Sequence, residues 1–286
     1  MNSIIFPSDY FSNKQVEDEY LGEYQACLTY MQPLIFDYGK MFEEDQLILA
    51  QAKPIPGKAI YRGWMMTPAQ YRSFYTQLKE KYQIELLTNP EQYEQFHLFP
   101  NIYPKLKAHT PKILAFPLGT EVLIERIRLQ MQEFMIKDYV KSAKGTELPS
   151  RIPSTITQQQ LEKYLEIFYR YRGDLLTGGI CIKEYVDLKT INGQHNEYRV
   201  FYANGRIISI TESVANDDFT TRPPQPLLEK YQYLSSPFYT VDYAELSDGS
   251  WIVIEAGDGQ VSGLSEHQDR RRFIEMIEKA MKSLDV

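Results

Sequence analysis

Two acidic residues face each other in a segment that otherwise reads as a buried β-hairpin. Residues 238–264, FYTVDYAELSDGSWIVIEAGDGQVSGL, contain two apolar runs that meet at Asp248-Gly249, a dipeptide typical of a tight hairpin turn. If strand pairing continues outward from that turn, Asp242 lies opposite Glu255 and both side chains point to the same face. The pattern therefore predicts a pair of adjacent carboxylates on one face of the hairpin.

Such a pair needs a chemical explanation, because like charges directly opposite each other destabilise a sheet. Two carboxylates in a cleft require a cation, or one of them must keep its proton. Mg²⁺ suits carboxylate oxygens, so Asp242 and Glu255 predict a divalent metal site, with Asp258 following on the same run. The alternative is a hairpin at a sheet edge, with solvated acids. The same register places Ala244 opposite Val253.

Cations also occur on predicted strands. In FMIKDYVKS, residues 134–142, a strand would place Lys137, Tyr139 and Lys141 on one face. Two lysines on one face would attract phosphate, although lysines are also common on edge strands, where they prevent aggregation. Lys183 in ICIKEYV and Arg199 in EYRVF are single cations in apolar strands. A buried cation needs a partner, which could be a core acid or a phosphate.

The sequence lacks the glycine-rich phosphate loops GxxxxGK and GxGxxG. Strand-borne cations followed by strand-borne acids instead suit a nucleotide held between two lobes by side chains. Arg62 in YRGW is a candidate for gripping an anionic substrate from the N-terminal part of the chain; the alternative is a salt bridge between lobes.

Composition limits the function classes. The chain has 286 residues with a net charge of −7, which disfavours a general nucleic-acid binder or a binder of anionic membranes. Its two cysteines, Cys27 and Cys181, form neither a disulfide framework nor a metal motif, which indicates a reducing, cytoplasmic compartment. We recognise no signal peptide and no apolar run of about 20 residues that could span a membrane.

The first part of the chain predicts an open α/β lobe over roughly residues 1–90, because strand and helix patterns alternate. Strands are predicted at 3–9, 58–66 and 84–88, and helices at 16–31 and 69–82, the latter with Thr67 as N-cap and Pro68 in the first turn. Residues 88–111 are aromatic and turn-rich, which predicts an irregular connection between lobes.

The remainder alternates strands with fewer helices. Helices are predicted at 120–132, 157–173 and 266–284, strands at 134–142 and 178–188, and a hairpin at 197–212 across Asn204-Gly205. The last helix has Phe273, Ile277, Met281 and Leu284 on one face.

In this order, KDYVKS, GGICIKEYVDL, EYRVF and the 238–264 segment resemble the ATP-grasp superfamily. They are most similar to the bacterial branch of the clade named for two arginines and a lysine. The N-terminal IIFPSD, YRGWMM and TNPEQYEQFHLFPNIYP resemble that branch too, so the resemblance extends over nearly the whole chain. It implies a combined α/β and α+β fold, in which two α+β subdomains grip ATP behind an N-terminal α/β lobe. The implied domains are a lobe at 1–115 and an ATP-grasp domain at 116–286, divided into 116–183 and 184–286, with the metal-binding hairpin in the second part.

The resemblance also implies roles for individual residues. Lys137 would contact the nucleotide phosphates with help from Lys141, and Lys183 and Arg199 would hold phosphate oxygens or a developing acyl phosphate. The backbone of three consecutive residues would contact adenine: Glu184, Tyr185 and Val186. The implied Mg²⁺ ligands are Asp242 and Glu255, with Asp258 as the third.

The chain departs from the family pattern at three places. Gly257 stands where many members carry an Asn ligand, the loop SAKGTELPS has a single glycine, Gly145, and Lys183 stands where close relatives often carry Arg. Lysine can hold a phosphate, but it lacks the bidentate fork of arginine.

The implied activity is that of an ATP- and Mg²⁺-dependent ligase that joins a carboxylate to an amine or thiol through an acyl phosphate. The implied partners are a nucleotide and a small-molecule, amino-acid or peptide-like substrate. Two alternatives stay open: a non-enzymatic ATP-binding assembly factor with a protein partner, and a phosphotransferase acting on a small molecule.

Overall fold

The computed structural model describes residues 2–51, 53–142 and 145–282. The first sheet is parallel and consists of β1 (Ser3–Pro7), β2 (Gln32–Phe36), β3 (Gly57–Tyr61) and β4 (Ile84–Leu86), in the order β2-β1-β3-β4. Helices α1 (Leu21–Tyr30), α2 (Tyr38–Glu44) and α3 (Pro68–Tyr82) connect its strands. The predicted α/β character of this lobe is confirmed, but β2 and α2 form where the sequence predicted no element.

Several elements of this lobe are shorter than predicted. A 3-10 turn at Asp18–Tyr20 precedes α1, and β3 ends at Tyr61 rather than continuing to residue 66. The predicted start of α3 is confirmed, since the Thr67 side chain accepts from Gln70 N and the Gln70 side chain accepts from Thr67 N.

The segment predicted as an irregular connection instead forms two helices, α4 (Pro90–His97) and α5 (Phe99–Leu106). Asn89 caps α4 in the same way as Thr67 caps α3, with Pro90 at the first helical position and Gln92 closing the box. These helices bury Phe96 and Ile102 in the same hydrophobic cluster as strands of the last sheet. The segment is therefore helical and packs against the last sheet, instead of forming an irregular connection.

The second sheet is antiparallel, in the order β5-β8-β6-β7. In chain order its elements are β5 (Ile113–Pro117), α6 (Ile124–Arg128), β6 (Glu133–Asp138), β7 (Ile152–Pro153), α7 (Gln158–Arg172) and β8 (Gly179–Glu184). Helix α6 covers only part of the predicted 120–132. The N-cap of α7 at Thr157 is confirmed, and residue Gly173 ends the helix. The predicted boundary between residues 115 and 116 falls inside β5, which pairs with β8. The division into domains stays a prediction.

The third sheet is antiparallel, in the order β12-β11-β13-β14. A small hairpin of β9 (Thr190–Ile191) and β10 (Gln194–His195) precedes it, followed by β11 (Glu197–Ala203), β12 (Arg206–Glu212), α8 (Gln225–Lys230), β13 (Phe238–Glu245), β14 (Trp251–Asp258) and α9 (Arg270–Lys282). The β11–β12 turn uses Asn204 and Gly205, with φ of 48° and 69°, as a type I′ turn requires.

The register of the β13–β14 hairpin agrees with the prediction at the acids and differs near the turn. Asp242 pairs with Glu255, but Ala244 pairs with Ile252 instead of Val253. The register shifts by one after Asp242, so Ile254 is the extra residue of a β-bulge.

Helix α9 packs its apolar face, including Phe273, Ile277 and Met281, against the N-terminal lobe and the third sheet. The predicted position of Leu284 lies outside the described residues. None of the helices in the described ranges combines the length and apolar character that crossing a membrane requires.

Candidate functional site

A cleft of about 1040 Å³ lies between the second and third sheets, with α4 and α5 contributing to its wall. The structure brings ten residues singled out in the sequence to its lining: Lys137, Lys141, Lys183, Glu184, Tyr185, Val186, Arg199, Asp242, Glu255 and Asp258. Arg62 is not part of this lining. Strands from two different sheets thus present cations and acids to one cavity.

A cation of the second sheet meets an acid of the third sheet across this cleft. Lys137 Nζ, on β6, lies 3.3 Å from Glu255 Oε1, on β14. Burial acts to lower the pKa of Lys137, but the charge and hydrogen bond of Glu255 outweigh it and raise that pKa. Burial likewise acts to raise the pKa of Glu255, and Lys137 together with Lys183 lowers it below its usual value. Both groups are therefore charged at neutral pH.

Arg199 and Asp242 are cross-strand neighbours on β11 and β13. Arg199 donates from Nε to Asp242 Oδ1 at 2.9 Å and from Nη2 to Asp242 Oδ2 at 2.7 Å, the bidentate geometry that fixes both planes. Its Nη1 donates to the carbonyl oxygen of Gly263 at 3.1 Å. Each carboxylate oxygen keeps a further lone pair, so Asp242 can still bind a metal ion.

Lys183 is buried on the same face of the second sheet as Lys137. Its Nζ donates to the carbonyl oxygen of Ile254, the bulge residue, and lies 5.0 Å from the centre of the Phe99 ring. Burial, with the nearby charge of Lys137, lowers the pKa of Lys183 to about 8. The cleft thus contains a lysine whose charge is sensitive to pH near neutrality.

Lys141 lines the cleft, but it does so from a turn and not from the strand on which it was predicted. Strand β6 ends at Asp138, whose Oδ1 accepts hydrogen bonds from the backbone N–H groups of Val140 and Lys141 and turns the chain. Arg172 Nε holds the other oxygen of Asp138 at 2.7 Å. The predicted single strand face carrying Lys137 and Lys141 is therefore wrong, and Lys141 lies on a turn.

The strand that follows Lys183 ends in the segment Glu184–Val186, which lines the cleft as predicted from the resemblance. The backbone N–H groups of Glu184 and Tyr185 donate to the carbonyl oxygens of Lys112 and Glu133, at 2.8 and 3.0 Å. Two of its three N–H groups are therefore used within the protein.

Asp258 does not join the other two acids. Alternation along β14 places it on the opposite face from Glu255, and its Oδ1 accepts from Gln260 N at 2.9 Å and from Gln260 Nε2 at 3.0 Å. Burial raises the pKa of Asp258 to about 7. Among the described residues, no group of three or more His, Cys, Asp or Glu side chains is arranged to hold a metal ion.

The pair of Asp242 and Glu255 nevertheless fits a nucleotide-bound Mg²⁺. This ion is commonly held by one or two carboxylates while phosphates and water complete its octahedron. Glu255 presents a side chain that is 40% exposed to the cleft, and the cations Lys137 and Arg199 beside the two acids suit the phosphates. The donor set therefore matches a metal that arrives with its nucleotide.

Arg62 is buried away from the cleft lining, with 1% exposure. It forms a bidentate ion pair with Glu23 of α1 and donates to carbonyl oxygens of the chain that follows β14. The structure thus places Arg62 in a buried ion pair outside the cleft lining, and its contact with a substrate stays a prediction. The pairing with Glu23 had no recognisable sequence signal, because it joins positions 39 residues apart.

The fold and the site define an ATP-grasp protein, the class in which two α+β units enclose a nucleotide. Residues 128–277 match the family model of an ATP-grasp domain, family 3 of the clade named for two arginines and a lysine. The chain belongs to this family, and the resemblance recognised in the sequence is confirmed.

Solved structures of low sequence identity share the fold over the whole chain. The D-cycloserine synthetase DcsG is 15% identical with a TM-score of 0.61, covering 97% of this chain and 99% of its own. The D-alanine–D-alanine ligase from Coxiella burnetii is 11% identical with a TM-score of 0.61, covering 100% and 98%. The ATP-grasp ligase PsnB, complexed with a phosphomimetic variant of its minimal precursor, Mg and ADP, is 11% identical with a TM-score of 0.58, covering 97% and 96%. The chain thus has the fold of ATP-dependent ligases. No curated protein sequence gave a significant match.

Proposed function

We propose that the protein is an ATP- and Mg²⁺-dependent ligase that activates a carboxylate as an acyl phosphate and passes it to an amine or thiol. The observation that carries this proposal is the contact between Lys137 and Glu255, which belong to different sheets and meet in the cleft. A cation and an acid held across a cavity of this size suit the phosphates and the metal ion of one nucleotide.

The nucleotide would lie with adenine against Glu184–Val186 and its phosphates towards Lys137 and Lys183. Because the N–H groups of Glu184 and Tyr185 are engaged, the edge of adenine would be read by the Val186 N–H and by carbonyl oxygens. Lys137 and Lys183 project from the same face of the second sheet, so both can contact phosphate oxygens, with Lys141 assisting from its turn.

Asp242 and Glu255 would hold the Mg²⁺ ion, and Asp258 is not part of the ligand set we propose. The metal, when bound, neutralises charge that develops on the β- and γ-phosphates. Arg199, held by Asp242 in one orientation, would position the attacking carboxylate and stabilise the acyl phosphate. Lys137 and Lys183 would fix the phosphate chain, since positioning is the main catalytic task in phosphoryl transfer.

An amino-acid or peptide-like substrate is the class we favour. It is supported by relatives whose names specify D-alanine–D-alanine ligase and a complex with a precursor peptide. The buried, unpaired thiols of Cys27 and Cys181 agree with a reducing, cytoplasmic compartment.

The test is product analysis with MgATP and pools of carboxylates and amines. A ligase releases ADP and free phosphate in equal amounts only when both co-substrates are present. Release of ADP without free phosphate, in the presence of a single acceptor, would instead identify a phosphotransferase. Binding of MgATP without turnover in any pool would identify an ATP-binding assembly factor.

A further inference from the structure

A buried arginine of the N-terminal lobe is connected to the candidate site through one loop. We define the site loop as residues 259–263, which directly follow β14. Arg62 Nη1 donates to the carbonyl oxygens of Gly259 and Ser262 at 2.5 and 2.8 Å, and a weaker contact reaches Gln260 O at 3.3 Å. One guanidinium group thus contacts three carbonyls of the site loop.

The orientation of this guanidinium is itself fixed. Arg62 Nε and Nη2 donate to the two carboxylate oxygens of Glu23, at 2.7 and 2.8 Å. Its Cζ atom lies 5.8 Å from the centre of the Phe201 ring and 5.6 Å from that of Phe273. A lysine at position 62 could not make these contacts together, because its ammonium is a point charge without a planar fork.

The neighbouring backbone, at the end of β3 and just after it, adds further hydrogen bonds to the site loop. Gly63 N donates to Gln260 O at 3.2 Å, and Tyr61 N donates to Gln260 Oε1 at 3.1 Å. The N-terminal lobe therefore determines where the site loop lies relative to the third sheet.

The other end of the site loop contacts the candidate site. Gly263 O accepts from Arg199 Nη1 at 3.1 Å, on the same guanidinium that holds Asp242. The hydroxyl groups of Ser262 and Thr240 lie 2.9 Å apart, which ties the loop to β13 two residues before Asp242. The contacts run from Glu23 through Arg62 and the loop to Arg199 and Asp242.

We infer that Arg62, held by Glu23, is a positioning residue that acts through the site loop on Arg199 and Asp242. This inference rests on the proposed function, since it assigns those two residues to MgATP. A buried ion pair is weak evidence for stability, because desolvation offsets its attraction. What Arg62 does provide is a set of directed hydrogen bonds to carbonyl oxygens of the site loop. The loop in turn accepts a hydrogen bond from Arg199 through Gly263 O.

The test is a double-mutant cycle that combines Arg62→Lys with Arg199→Lys and measures the Kd of MgATP by calorimetry. We expect Arg62→Lys alone to raise that Kd by about twofold to thirtyfold, the range for mutations that change coupling without contacting the ligand. In the Arg199→Lys background, the same change should have less than about a twofold effect. The matched control is Arg72→Lys, an exposed arginine of the same lobe that pairs with Glu91, which should leave the Kd unchanged.

A second variant guards against misfolding of Arg62→Lys. Arg62→Met/Glu23→Leu replaces the pair by apolar side chains, a change that buried ion pairs often tolerate, and should give the same result. Amide hydrogen exchange in the site loop, residues 259–263, should become faster in both variants and not in Arg72→Lys.

Equal effects in the two backgrounds, or unchanged exchange in the site loop, would overturn the inference. Failure of the wild type to bind MgATP would instead overturn the proposed function, and loop exchange would still decide whether Arg62 fixes the loop.

Discussion

Lys137 Nζ lies 3.3 Å from Glu255 Oε1, although the two residues belong to different sheets and are 118 positions apart. The contact joins the phosphate side of the proposed site to its metal side. The two side chains should nevertheless affect nucleotide binding differently, because Lys137 is a cation that can contact phosphate and Glu255 is a carboxylate that can bind Mg²⁺.

Lys137→Met should weaken ATP binding whether or not Mg²⁺ is present, since a lysine contacts phosphate directly. Glu255→Gln should weaken binding only when Mg²⁺ is present. A hydrogen bond to a charged group contributes about 1.5–3 kcal/mol, so the Kd of Lys137→Met should rise by about tenfold to a hundredfold. The Kd of Glu255→Gln should rise in Mg²⁺ and stay near that of the wild type without it. Calorimetry with and without a chelator measures both effects. Lys163→Met, on the exposed face of α7, serves as the control, and equal behaviour of the two site variants would contradict the assignment.

ATP affinity should decrease as the pH rises through about 8, because burial and Lys137 lower the pKa of Lys183 to about 8. Below that pH the ammonium is charged and attracts phosphate; above it, the charged fraction falls roughly tenfold per pH unit. Lys183→Arg keeps its charge at every pH used and should bind ATP with little change between about pH 7 and about pH 9. A parallel decrease in both proteins would show that Lys183 is not the titrating group.

Asp258→Asn should leave the Mg²⁺ dependence of ATP binding unchanged, because Asp258 faces away from Glu255 and is bound to Gln260. The matched control is Asp242→Asn, the same substitution at the acid that we propose as an Mg²⁺ ligand. In this variant, ATP binding should no longer depend on Mg²⁺. Titration of Mg²⁺ at constant ATP distinguishes them. Loss of Mg²⁺ dependence in Asp258→Asn would restore Asp258 as a third ligand.

Asp138→Ala should destabilise the protein by about 3–5 kcal/mol, since it leaves Arg172 without its partner in a largely buried position. It also removes the acceptor for two backbone N–H groups of the turn that carries Lys141. Urea denaturation measures the change. Glu133→Gln, which loses only the exposed pair with Arg151, should change the free energy of unfolding far less, because water screens exposed ion pairs. A similar loss of stability in the two variants would show that the Asp138–Arg172 pair has no special structural role.

The sequence predicted those parts of the fold that local signals encode. Asn204-Gly205 and Asp248-Gly249 marked two hairpins, and pairing outward from the second correctly placed Asp242 opposite Glu255. The bulge at Ile254 was not predictable, because an extra residue in a strand has no periodicity of its own. Helix α4 did have a signal, since Asn89, Pro90 and Gln92 repeat the pattern of Thr67, Pro68 and Gln70.

The site was predictable as a set of residue types and only partly as geometry. Alternation on a strand placed Lys137 correctly but failed at Lys141, because the Asp138 side chain ends the strand. Asp258 stands three residues after Glu255, so strand alternation already places it on the opposite face, and its partner Gln260 is only two residues away. Arg62 forms a salt bridge, which was the alternative left open for it, but its partner Glu23 lies 39 residues away in the same lobe and is determined by tertiary packing. Long-range pairs of this kind cannot be read from spacing along one chain.

The decisive measurement on the proposed MgATP site is calorimetric titration of ATP into the wild type and into the Asp242→Asn/Glu255→Gln variant, each with and without Mg²⁺. The wild type should bind, and the variant should lose affinity only when Mg²⁺ is present. No binding by the wild type at millimolar nucleotide, or an equal loss in the absence of Mg²⁺, would contradict the proposed site.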